Sequence, residues 1–211
     1  MATVKQTSIK ITQELGKLER ALTPKLKRFY NQYIKNSQQS IYQIRQVHGQ
    51  SLENEIRNTV ESSWLFSNQI MEERTLTVIN TSIRDIQGIE KITSDMTNQF
   101  WVTSQKLLTR ETEFKLSKDQ ELIKLQPFDI PVAMVGLSGL FAYLAFNTAM
   151  TSKSDELGLN MKLRFTVRSD CIDTKMCRPL EGRLFEKGNI PDQYQPPLHR
   201  HCHCHLIPIV S

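Results

Sequence analysis

Proline and glycine are spread so unevenly along this chain that they divide it into two kinds of polypeptide. Of eight prolines only Pro24 precedes residue 127, and of eight glycines only Gly16, Gly49 and Gly88 do. Both residues disfavour a helix interior, proline because it lacks the N–H donor and clashes with the preceding turn, glycine because of the backbone freedom it loses. Residues 1–126 are therefore written for helix. The other prolines lie beyond, and the last 41 residues hold all four cysteines and four of the five histidines. A less regular unit is expected over 161–211, joined to the helices through 127–160.

Within the first part, Ile11, Leu15, Leu18, Leu22, Leu26, Phe29 and Tyr33 recur at threes and fours and define one helical stripe. Thr23-Pro24 has the form of an N-cap and first-turn proline, which predicts a break into two helices there. The rhythm resumes with Ile41, Ile44, Leu52, Ile56, Val60 and Trp64, with Gly49 as a further break, and again with Ile79, Ile83, Ile86, Met96 and Phe100. Such stripes need cover, which an isolated monomer is expected to supply poorly.

Met1 to Lys35 carries eight basic residues against Glu14 and Glu19. Lys17, Arg20, Lys25, Lys27 and Arg28 could face nucleic acid, or form an ordinary solvated helix surface. The net charge of +5 over 211 residues does not choose between them. The opening residues hold charges every few positions and no apolar core of a secretory signal, so the chain is expected to be made and kept in a cytosol.

Residues 130–152 hold no charge between Asp129 and Lys153. The length suffices to span a bilayer. Pro131, Asn147 and the small residues at 136, 138, 139 and 142 suit a helix buried between subunits better. Further on, Leu163, Phe165 and Val167 alternate with Lys162, Arg164, Thr166 and Arg168, the pattern of a half-buried strand. Leu206–Val210 reads as a second strand, placed at an edge because Pro208 cannot donate to a ladder. The fold class is thus mainly α, with long amphipathic helices followed by a small C-terminal α+β module containing a short antiparallel sheet.

The one dense constellation of chemistry is in that module: Cys171, Cys177, His199, Cys202 and Cys204. In a reducing compartment thiols stay reduced, and thiolate with imidazole binds zinc tetrahedrally. A unit of about forty residues buries little apolar surface, so a metal would staple it. In extended chain residues i and i+2 share a face, which puts Cys202 and Cys204 on one side and His201, His203 and His205 on the other. Four ligands are expected from the five named residues. Ordinary buried thiols, or disulfides in an oxidising setting, are the alternatives.

The same stretch resembles the head-morphogenesis family of tailed bacteriophages named for the F protein of phage Mu. That family shows a strand ending in aspartate, a cysteine pair, a hydrophobic-acidic-glycine step and a closing P-P-x-H-x-x-C-R-C before a short apolar strand. The matches are Phe165 to Asp170, Cys177, Leu180-Glu181-Gly182, Pro196-Pro197, His199, Cys202, Cys204 and the strand from Leu206. Thr174 stands where the first cysteine of the family's C-x-x-C would be, and His203 replaces the arginine. The resemblance spans about the last seventy residues. It implies a structural minor head protein of the virion, present in several copies at the portal vertex inside the capsid. Such a protein contacts the portal and other head proteins, with packaged DNA as a further candidate partner, and is made in the bacterial host cytoplasm.

Phosphate-cradle, nucleophile-elbow, zinc-protease and dinucleotide motifs are absent from the sequence, so no enzyme is expected. Two other readings are an ejected protein that inserts residues 130–152 in the host membrane to assist DNA passage, and a zinc-dependent hydrolase using Asp170, Asp173 or Glu181 as base.

Overall fold

The computed structural model describes residues 3–35, 37–111, 114–116, 122–124, 130–157, 161–167, 174–186, 190–194, 196–198, 202 and 204–210. Helix α1 spans Val4–Phe29, and a π-helical turn over Tyr30–Ile34 extends it. Helix α2 spans Ile41–Thr75 and α3 spans Ile83–Glu111. Each starts with the same device. Thr3, Ser40 and Ser82 accept from the backbone three residues on, and the side chains of Gln6, Gln43 and Asp85 reach back to the cap residue's own N–H. These reciprocal pairs satisfy donors that a helix start leaves open.

Two expected breaks do not occur. Pro24 is exposed inside α1, and Thr23 Oγ1 donates to the Glu19 carbonyl at 2.8 Å instead of capping a new helix. Leu22 and Leu26, on either side, are both buried, so packing of the stripe carries the helix through a local propensity defect. Gly49 lies within continuous α2. In α3 the inward stripe is Ile92, Met96 and Phe100, whereas Ile83 and Ile86 are 75% and 52% exposed.

Helix α4, Ile130–Leu157, is the hub, running against α1, α2 and α3. It is long and apolar enough to cross a membrane, yet most of it is buried inside this chain. The expectation of burial between subunits is corrected accordingly: Met134, Leu137, Phe141 and Ala145 meet Leu22, Leu26, Val60, Trp64 and Phe100 in one core. A helix that is apolar all round belongs where neighbours surround it. At its end, Lys153 is turned inward. Its Nζ lies 2.9 Å from Asp85 Oδ2 and 2.7 Å from Glu156 Oε2, with Asp85 fully buried and Lys153 2% exposed. Trp64 Nε1 donates to the other Asp85 oxygen at 2.8 Å, so α2, α3 and α4 meet at one fully paired charge.

Helical structure ends before 126. Phe114–Leu116 (β1) and Leu122–Lys124 (β2) pair antiparallel, in keeping with the alternation Phe114-Lys115-Leu116. The C-terminal sheet has the order β4–β3–β5, antiparallel throughout, with β3 at Met161–Thr166, β4 at Leu184–Glu186 and β5 at His205–Val210. Pro208 does sit in an edge strand, opposite Leu163. A short helix α5, Thr174–Cys177, runs into a 3₁₀ turn over Arg178–Leu180. This module has no separate core. Leu163, Phe165, Phe185 and Leu206 cluster with Ile11, Leu15, Ile70, Tyr143 and Phe146 of the helices.

Candidate metal centre

Cys177 closes α5, while Cys202 and Cys204 precede β5, and the fold brings their three sulfurs within 4.8 Å of one another. All three residues are fully buried and none forms a disulfide. Cys177 Sγ and Cys202 Sγ are 3.8 Å apart, far beyond a disulfide bond of about 2.05 Å. In a tetrahedral zinc site, Zn–S bonds of about 2.3 Å give a sulfur–sulfur edge of about 3.8 Å. The Cys177–Cys202 spacing thus fits one edge of such a tetrahedron, the Cys204 sulfur lies within 4.8 Å of both, and the three cysteines can hold a metal.

Protons and charge bear on the same point. Hydrogen bonding to Cys202, then burial, then the neighbouring thiols push the Cys204 thiol far above its ordinary range. Three ionised sulfurs at this separation need a cation among them, and metal binding would release their protons.

Several backbone anchors hold the centre in place. Asn147, buried in α4, donates from Nδ2 to the Cys204 carbonyl at 3.1 Å and accepts from the Leu206 N–H at 2.9 Å. One side chain thereby satisfies two buried main-chain groups beside the cysteine strand. Arg74 Nε, near the end of α2, donates to the Pro208 carbonyl at 3.1 Å. Gly182 has φ of +78°, a left-handed conformation that favours glycine, and its N–H donates to Phe165 O at 2.9 Å. The turn from Cys177 to β4 is fixed against the end of β3 in this way. The Pro196–Pro197 peptide is cis.

Of the five expected ligands, Cys177, Cys202 and Cys204 converge. Cys171 and His199, like Asp170 of the family-like motif, lie outside the described residues. The shared face of Cys202 and Cys204 is as their i, i+2 spacing requires. His205 points elsewhere, its Nε2 hydrogen-bonded to Ser8 Oγ at 3.1 Å; His201 and His203 lie outside the described residues. Sequence reasoning missed Asn147 as a positioning residue. Its signal was a lone carboxamide in an otherwise apolar run, where a buried amide must find partners.

The basic surface of α1 is partly neutralised. Lys17 pairs with Glu14 and Lys25 with Glu55, each at 2.6 Å, while Arg20, Lys27 and Arg28 are exposed.

Together these features define a mainly helical protein whose C-terminal three-stranded sheet carries a closed, cysteine-lined site able to hold a metal ion. Comparison with protein-family models, with curated proteins and with solved structures finds no match to the chain.

Proposed function

We propose that the chain is a structural, non-enzymatic minor head protein of a tailed bacteriophage, docked in several copies at the portal vertex inside the capsid. The observation that carries this reading is the convergence of three cysteines of the family-like motif, Cys177 meeting Cys202 and Cys204 from 25 residues earlier in the chain. The metal would be zinc, a borderline-soft ion suited to three thiolates and a fourth ligand from Cys171 or His199. Its role would be structural. The sulfurs are buried, and the zinc pins the segment before β5 to α5, making the sheet a stiff end-piece on the helices. Portal and head proteins are the partners this reading requires. Exposed Arg20, Lys27 and Arg28 offer α1 a surface for packaged DNA.

The burial of α4 weighs against the ejected, membrane-inserting alternative, because insertion would dismantle the core shared by all four long helices. The hydrolase alternative needs an open ligand position and a free base. Of the three candidate bases Asp170 and Asp173 lie outside the described residues and Glu181 accepts from the Val167 N–H, while the three sulfurs are closed to solvent. Immunogold or tag labelling of purified, opened phage particles tests the proposal. Label at a single vertex is the expected result; a protein absent from particles, or spread over the shell, refutes it.

A further inference from the structure

The first turns of α1 and one face of β3 enclose a cleft of about 380 Å³ that shares no residue with the cysteine centre. Thr3 caps the Gln6 N–H and Thr7 N donates to Thr3 O. The N–H groups of Val4 and Lys5, in the helix's first turn, have no acceptor within the helix, and the helix dipole is positive there. Lys5 lines the cleft from the helix side. From the sheet side come Arg164 and Thr166, two residues apart on β3 and therefore on one face.

Two of these groups are unsatisfied. Thr166 is only 9% exposed, and its hydroxyl has no hydrogen-bond partner; Arg164 Nε is likewise buried without one. Neither Lys5 nor Arg164 forms an ion pair among the described residues. The one carboxylate in the lining, Glu181, is engaged by the Val167 N–H. Buried donors without partners are costly in a folded protein, and here they gather where a helix start and two cations outnumber the single carboxylate of Glu181.

We infer that this cleft binds a small oxyanion of the phosphate class, held between the first turn of α1, Lys5, Arg164 and Thr166. Donors arrive from the helix, the ammonium, the guanidinium and the hydroxyl, which suits the several oxygens of a tetrahedral anion better than the two of a carboxylate. The volume leaves room for a phosphate monoester carrying a small organic group. Ser8, already hydrogen-bonded to His205, and the apolar Ile9 complete the wall. The inference is independent of the virion role and of the metal.

The test is calorimetric titration of the full chain with inorganic phosphate at constant ionic strength, against a chloride control. Thr166→Val removes an unpartnered hydroxyl and so keeps the fold intact; Lys5→Gln alters an exposed side chain. Each is expected to weaken phosphate binding about tenfold or more without lowering the thermal midpoint, which Thr166→Val should raise because it removes an unpartnered buried hydroxyl. Phosphate binding no stronger than the chloride control overturns the inference, as does wild-type affinity in both variants. A short DNA duplex that binds through Lys5 while inorganic phosphate does not bind also overturns it, in favour of a nucleic-acid surface.

Discussion

Replacing Gly88 with alanine sets helix propensity against packing. In an α-helix the exchange is favourable by about 0.8–1.0 kcal/mol. At this site the added Cβ would lie 2.3 Å from Cη2 of Trp64, with Cζ2 and Cζ3 at 3.0 and 3.1 Å. The indole has no easy escape, because Trp64 is buried and its Nε1 is committed to Asp85 Oδ1 at 2.8 Å. Relief requires either that α3 move away from α2, an overpacking cost of about 1–3 kcal/mol, or that the ring also give up a hydrogen bond to an ionised acceptor, a further cost of about 1.5–3 kcal/mol. After the propensity gain, a net loss of about 2–5 kcal/mol is expected where both occur. Urea unfolding followed by far-ultraviolet circular dichroism measures it directly. Trp64→Phe in the same background shortens the ring and should recover part of the loss, giving a coupling above about 1 kcal/mol. Gly88→Ala protein as stable as the parent would refute the close approach of α2 and α3.

Pro24→Ala should stabilise the chain by up to about 3 kcal/mol, since it removes a proline from the interior of a helix on its exposed side, and the denaturant midpoint would show it. Asn147→Leu strands the Cys204 carbonyl and the Leu206 N–H in the core; a loss of about 2–5 kcal/mol is expected, with faster metal release to a chelator. For Asp85, burial acting alone raises the carboxyl, but hydrogen bonds from Lys153, the Ser82 N–H and Trp64 outweigh it and hold the group below its ordinary 3.8. A depressed carboxyl contributes stability that is present above its unfolded value and is lost as pH falls through its folded value. The denaturation midpoint should therefore begin to fall below about pH 4, and Asp85→Asn should be less stable at neutral pH with a shallower acid slope. An unchanged acid slope in that variant would remove Asp85 from the account.

The stripes of α1 and α2 could be read from spacing because solvent and core impose a strict period on amphipathic helices, and Ile11, Leu15, Leu22, Ile44 and Trp64 are all buried as that period requires. Strands β3 and β5 were legible for the same reason, one by alternation and one by its edge proline. What failed were local signals overruled by packing. Pro24 and Gly49 are weak points that the surrounding apolar contacts bridge, and Ile83 with Ile86 lie at the start of α3, away from the stripe that turns inward. Strand β4, three residues long, carries too little pattern to announce itself. Lys153 marked the end of an uncharged run, and nothing in the local sequence told that Asp85, 68 residues earlier, would neutralise it inside the fold. The stripes that looked uncovered are covered by α4 of the same chain, so the isolated monomer is expected to be ordered. The cysteine site was legible in part: the sequence named five candidates that include the three that meet, with Cys171 and His199 outside the described residues, while the grip of Asn147 depends on tertiary placement.

Zinc-edge X-ray absorption on protein prepared under reducing conditions with zinc present bears most directly on the centre. A first shell dominated by sulfur at about 2.3 Å, with about one ion per chain and loss of that shell in Cys202→Ser, is the predicted result. Protein without bound metal, or a shell of only oxygen and nitrogen at about 2.0 Å, would contradict it.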